Sequence, residues 1–405
     1  MSASDHRPPR SRALPAGIWA LGFVSLLMDV SSEMIHALLP VFMVSVLGTS
    51  TLAVGMIEGV AEATASITKV FSGAISDWFA RRKPLAVLGY GLAALTKPVF
   101  PLAMTLDWLV AARFIDRVGK GIRGAPRDAL VADIAPPDMR GAAYGLRQSL
   151  DTVGAFLGPL LAMVLMWWTA DNFRAVFWVA VIPALLAVTV LIIAVREPAR
   201  SAPPRPSRWP FRRDEMRSLG STYWWLVAIA LVFSLARFSE AFLILRAQAA
   251  GLAIALVPVV MVVMNIAYAL SAYPAGILSD RAGRFALLGW GLVLLIVADL
   301  VLALSRDLVG VGIGVTLWGL HMGLTQGILS AFVADVAPRE LRGTAFGVFN
   351  LGLGLAALVA SLVAGGLWDV AGPEATFLAG AGFAAIAMAG LAVLRRRLRS
   401  TATPR

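Results

Sequence analysis

Long apolar runs, broken at intervals by short polar connections, dominate the chain. A membrane-crossing helix takes about 20 mostly apolar residues. Runs of that kind cover approximately 17–47, 52–79, 84–104, 108–133, 142–168 and 173–195, then 221–248, 253–279, 285–305, 308–335, 344–368 and 375–394. Between the sixth and seventh lies REPARSAPPRPSRWPFRRDEMRSLG, residues 196–220, which is too polar and too rich in Pro and Arg to enter a bilayer. The pattern predicts an all-α integral membrane protein of twelve transmembrane helices in two pseudo-symmetric six-helix halves, 17–195 and 221–396. A cytoplasmic linker, 196–220, joins them, and tails 1–16 and 397–405 flank them.

Composition narrows the class. Of 405 residues, 59% are hydrophobic and 15% charged, against roughly 45–50% and about 25% in a soluble protein. A soluble enzyme, a disordered protein and a secreted disulfide scaffold are excluded. There is no cysteine, hence no thiolate metal site and no Cys nucleophile. The net charge of +11 follows topology. Basic residues cluster in the N-terminal tail, at Arg81, Arg82 and Lys83, at Arg140, in the linker, at Arg281 and Arg284, at Arg339 and Arg342, and in the C-terminal tail. The alternate connections, 48–50, 105–107, 169–174, 250–251, 305–307 and 369–374, are nearly bare. Cytoplasmic loops hold the Lys and Arg excess, so both termini are expected in the cytoplasm and nucleic acid is not an expected partner. Residues 1–15 have no signal-peptide pattern, and the run from Ala16 reads as a retained span.

The halves echo each other. GAISDWFARRK at 73–83 matches GILSDRAGR at 276–284, and ADIAPPDMRGAAYG at 132–145 matches ADVAPRELRGTAFG at 334–347. Parallel repeats of this kind mark transporters whose halves are related by an axis along the membrane normal. In span count, linker position and repeats the chain resembles the major facilitator superfamily. Gly73, Asp77, Arg81, Arg82 and Lys83 follow that family's loop motif between spans two and three, with Trp78 and Ala80 as departures. Gly276, Asp280, Arg281, Gly283 and Arg284 form a second, closer copy. The resemblance implies that these loops latch the halves during gating. Gly154, Gly158 and Pro159, with Ala162 in place of a last Gly, resemble the family's antiporter motif in the fifth span. Arg113 stands where the family's membrane Arg lies, although Asp116 and Arg117 depart from the usual Gln and Gly.

Ionisable groups at membrane depth are functional candidates by default, since each costs at least ~2.5–3.5 kcal/mol to insert. Asp29, Glu33 and His36 share one face of the first span. Three readings stay open for them: a divalent transition-metal site, proton coupling or substrate contact, or a structural ion network. Glu62 and Lys69 lie deep in the second span, while Glu58 is expected near an end, in water. Glu62 is a candidate partner for Asp29 and Glu33 or for a base of the fourth span. That span, RFIDRVGKGIRGAPRDALVAD, sets Arg113, Arg117, Lys120 and Arg127 on one stripe beside Asp116, Arg123, Asp128 and Asp133. Its Gly119, Gly121, Gly124 and Pro126 predict an irregular or broken helix, tolerated only where it lines a cavity or is buried. Its GKG lacks the spacing of a phosphate-binding loop. Lys97 precedes Pro98 at an expected kink, and Arg147 and Asp151 are expected to pair. The second half is quieter: Arg237 and Glu240 are expected to pair, and His321 is expected to be a satisfied core residue.

Together these features predict a secondary transporter, not an enzyme, that exchanges protons for a small solute by alternating access, with efflux implied by the antiporter resemblance. An anionic solute would be held by Arg113, Arg117 and Arg147. The alternative cargo is a nickel- or cobalt-type metal at Asp29, Glu33 and His36. TKPVF and DRVGKGIRGAPRDAL resemble stretches of bacterial exporters linked to nickel resistance, without the His-rich tail of some of them. A non-transporting sensor of the same fold is the second alternative. No cofactor is expected; the expected partners are the solute or ion, protons and the lipid bilayer, in a monomer of a bacterial inner membrane.

Overall fold

The computed structural model describes residues 14–79, 81–136, 139–198, 213–337 and 342–402. These are helical, with no strand among the described residues. The first half comprises α1 (Ala16–His36), α2 (Leu39–Ser45), α3 (Thr51–Phe79), α4 (Lys83–Thr96), α5 (Val99–Leu102), α6 (Leu106–Ile134), α7 (Arg140–Trp168) and α8 (Phe173–Ala194). After a short α9 (Arg213–Ser218), the second half comprises α10 (Gly220–Ala236), α11 (Ala241–Ala249), α12 (Val259–Ala282), α13 (Arg284–Leu304), α14 (Leu308–Val336) and α15 (Arg342–Ala402), the last broken at Gly372.

Nine stretches among the described residues are long and apolar enough to cross a membrane. Helices α3 and α6 are not among them, and these two bear most of the buried charge. Large apolar side chains such as Ile182, Ile193, Leu270 and Trp290 stand exposed on the outer surface, as lipid-facing residues do.

Packing repeats between the halves. Helix α1 packs on α7 and α8, and α6 on α3 and α4; correspondingly α10 packs on α15, and α14 on α12 and α13. The halves meet along α3 with α15 and α7 with α12. One end of this interface is latched. The Asp369 carboxylate accepts hydrogen bonds from the Thr51 and Leu52 amides at 3.1 and 2.9 Å and from the Thr51 hydroxyl. An acid there complements the positive N-terminus of α3. The Gln248 amide donates to Ser45 Oγ at 2.9 Å at the same end.

Several elements differ from the sequence expectation. Helix α6 is continuous through Pro126. Its glycines serve close packing, not breakage: a Cβ on Gly119 would stand 2.7 Å from the Gly89 carbonyl of α4, and one on Gly121 would stand 2.8 Å from the Ala65 carbonyl of α3. The seventh predicted span, read as one helix, unwinds over Arg237–Glu240 between α10 and α11. Helix α9 falls inside the predicted linker, and α15 runs on to Ala402, into the predicted tail. The expected kink at Lys97 and Pro98 separates α4 from α5.

Candidate functional site

A cavity of about 560 Å³ lies between the halves. The first half lines it with Glu33, His36, Glu58, Glu62, Arg117 and Lys120. The second half lines it with Phe233, Phe238, Trp318, Tyr268, Met261 and Met322, together with Arg237, Ser239, Glu240, Asn265 and Asn350. One wall is therefore ionisable and the other mainly aromatic and thioether.

Behind the ionisable wall the charges are paired. Arg113 Nη2 bonds Glu58 Oε2 at 2.6 Å, with both side chains nearly inaccessible. Glu58 is thus not in water: its place in α3 sets it against Arg113 of α6 and His36 of α1. His36 Nε2 lies 3.6 Å from the same Glu58 oxygen, and its Nδ1 lies 3.4 Å from Glu33 Oε2. Arg117 bonds Glu62 at 3.2 Å, and Lys97 bonds Asp116 at 2.9 Å and Ser32 at 3.1 Å. Arg147 bonds Asp151 at 2.6 Å, as expected from their spacing. Arg127 bonds its neighbour Asp128 at 3.1 Å, and Arg123 stacks on Tyr90, 4.7 Å from the ring centre. An unpaired buried charge is strongly penalised and a paired one is not, so the fourth-span stripe survives by distributing its bases over the carboxylates of α1, α3, α6 and α7.

Two ligand sets drawn from the sequence are not assembled. Arg113 and Arg147 lie outside the cavity lining, each bound to its own carboxylate, so only Arg117 of the three arginines lines the cavity. Asp29 turns to Arg123, 3.9 Å away, while both His36 ring nitrogens face carboxylates. Helical spacing gives Asp29, Glu33 and His36 a common face but not a common point. Among the described residues no three His, Asp or Glu side chains are placed to hold a metal ion.

The antiporter-like motif sets this wall. A Cβ on Gly158 would stand 2.7 Å from Glu33 Cβ, and one on Gly154 would stand 2.7 Å from the Leu26 carbonyl and 3.0 Å from Asp29 Cβ. Pro159 lies within α7. Small residues here let α7 press against the acidic face of α1. Of the repeated loop motifs, Arg82 bonds Asp133 and the Ala129 carbonyl, each at 2.6 Å. Its amide and that of Lys83 donate to the Glu197 carboxylate at the start of α4. Arg81 is exposed, and Arg284 begins α13. The side chains of Asp77, Asp280 and Arg281, and the surroundings of Gly73 and Gly276, lie outside the described residues.

In the second half, the unwound residues Arg237 to Glu240 all line the cavity, one of the two kinds of place where irregular backbone is tolerated at membrane depth. Arg237 and Glu240 form no ion pair with each other. Arg237 lies over Phe233, 5.8 Å from the ring centre, and its Nε has no hydrogen-bond partner among the described residues. His321 is fully buried, with Nδ1 3.0 Å from the Gly291 carbonyl and Nε2 unpartnered among the described residues. Sequence reasoning missed the aromatic residues Phe233, Phe238 and Trp318, because aromatic residues are ordinary in any membrane helix. It also missed Asp299 of α13, whose signal was plain: a lone acid inside VLLIVADLVLAL.

The model of the Major Facilitator Superfamily matches residues 21–259 and 241–405. The MFS-type transporter MJ1317 of Methanocaldococcus jannaschii is 34% identical over 385 residues, covering 93% of this chain and 94% of that one. The multidrug resistance protein MdtH of Photorhabdus laumondii is 31% identical over 169 residues, 42% of this chain and 41% of its own. Among solved structures, a bacterial homolog of the human lysosomal transporter Spinster superposes with a TM-score of 0.78 at 17% identity, covering 95% of this chain and 98% of that one. A POT family transporter in complex with 5-aminolevulinic acid superposes with a TM-score of 0.80 at 14% identity, covering 96% and 97%. Two packed halves around a shared cavity, and likeness along nearly the whole chain, make this protein a multi-pass membrane transporter of the Major Facilitator Superfamily.

Proposed function

We propose that the protein is a proton-coupled exporter of small amphiphilic organic solutes, acting by alternating access as a twelve-span monomer in a bacterial inner membrane, with both termini in the cytoplasm. The observation that carries this reading is the two-walled cavity. Its aromatic wall suits a ring system, and Arg237, Lys120 and Glu240, none of them in an ion pair among the described residues, suit a polar or charged end. The chain from Glu58 through His36 to Glu33, with Arg113 as the fixed counter-charge of Glu58, gives protons a series of exchangeable sites that ends at the cavity. The likeness to MdtH, named a multidrug resistance protein, agrees with organic cargo and efflux. On this topology the latched end, where connections are nearly free of basic residues, faces away from the cytoplasm.

Energised inside-out vesicles test the reading. Ethidium, salicylate and Ni²⁺ are added in turn and lumenal acidity is followed. The expected outcome is proton efflux with an aromatic organic probe and none with Ni²⁺, and loss of that efflux in Glu33→Gln. A response to Ni²⁺ alone would replace organic cargo with a metal ion.

A further inference from the structure

Asp299 of α13 lies outside the cavity lining and the ion pairs of the first half. Its side chain is 0% exposed. Oδ1 accepts one hydrogen bond, from the Trp318 indole Nε1 at 3.2 Å. Oδ2 has no hydrogen-bond partner among the described residues and faces Gly380 of α15, where a Cβ would stand 2.6 Å from it. Phe238 adjoins this place, with ring centres 5.4 Å from Phe377 and 6.4 Å from Trp318.

The charged and titratable groups of neighbouring elements are occupied elsewhere. Arg246 of α11 donates to the Leu302 and Ser305 carbonyls. His321 of α14 is turned to Gly291, about two helical turns along α13. Tyr268 of α12 and Arg237 line the cavity, and Glu374 of α15 is exposed. Among the described residues no Lys, Arg or His nitrogen is in ion-pair contact with Asp299. A carboxylate with one neutral donor and no counter-charge is costly in such a place, whereas a neutral acid is tolerated.

Trp318 is shared. Its indole binds Asp299, and the same side chain lines the cavity. In the other direction, Ser305 follows Asp299 by six residues along α13, about 9 Å, and opens a connection at the latched end. We infer that Asp299 is a second proton-carrying site, in the half opposite the Glu58–His36–Glu33 relay. It takes a proton from water when the latched end opens and holds it as the neutral acid in the closed arrangement described. It passes that proton from its carboxyl to cavity water when a solute displaces the Trp318 indole and water takes the indole's place as hydrogen-bond donor to the carboxylate. The inference rests on the proposed proton-coupled export.

Infrared spectra of the purified protein at neutral pH test the first step. The expected result is an un-ionised carboxyl band in wild type that is absent from Asp299→Asn and displaced in Asp299→Glu, the variant to use if Asp299→Asn does not fold. A wild-type spectrum without such a band overturns the inference. Vesicles loaded with ethidium or salicylate then separate the two readings. Wild type should show both solute counterflow and proton movement, whereas Asp299→Asn should keep counterflow and move fewer protons. Unchanged proton movement in Asp299→Asn overturns the role of Asp299 and leaves proton-coupled export standing. Wild-type counterflow without proton movement overturns both.

Discussion

Glu58 and Arg113 are joined at 2.6 Å with both side chains nearly inaccessible. Removing one partner of a buried pair leaves the other uncompensated and costs about 3–5 kcal/mol. Arg113→Met should therefore lower the thermal midpoint in detergent sharply, and adding Glu58→Leu should restore much of it, as melting curves of the single and double variants would read. Sequence spacing showed which residues share a helical face, and so placed Arg147 with Asp151 correctly. It did not show partners across helices. Asp29 went to Arg123, and His36 bridged to a glutamate expected in water, because those contacts depend on how α1, α3 and α6 are rotated against one another. Asp299 needed no structure to be noticed, only the rule that a lone acid in an apolar run demands a reason.

At the scale of elements, small residues decide how close the helices lie. Gly158 lets α7 rest against the Glu33 backbone face of α1, and a larger side chain must push the two apart. Gly158→Leu is expected to cost about 1–3 kcal/mol, the usual penalty of overpacking, and to abolish transport by displacing Glu33; melting curves and vesicle flux check the two effects separately. The hydrophobic pattern located nearly every helix, since apolar length is what a membrane span requires. Local breaks were less legible. Glycines in α6 read as breakers but serve contact with α3 and α4, where tertiary packing holds the helix straight. The break at Arg237–Glu240 has no Gly or Pro to announce it, and its backbone is satisfied in part by Ser361 of α15, whose Oγ accepts from the Ser239 amide at 3.3 Å.

The whole molecule is two similar bodies joined along α3 with α15 and α7 with α12. The internal repeat made the halves legible; the end at which they close was not, since that depends on single contacts such as Asp369 with Thr51. The chain has no cysteine, so a reporter pair reads without background. Ser45→Cys with Gln248→Cys should cross-link readily in the closed arrangement and stop flux, and reduction should restore it, as gel mobility and vesicle uptake would show. The pairing of charges in the first half has a further consequence. Arg82 with Asp133, Lys97 with Asp116, Arg113 with Glu58, Arg117 with Glu62 and Arg147 with Asp151 each sum to zero. In a carrier whose halves rock, voltage acts on net displaced charge, at about 2.3 kcal/mol per elementary charge per 100 mV. Those five pairs are electrically quiet as the carrier turns, and leave the field to act on the unpaired cavity charges, on the passenger and on the ion exchanged for it.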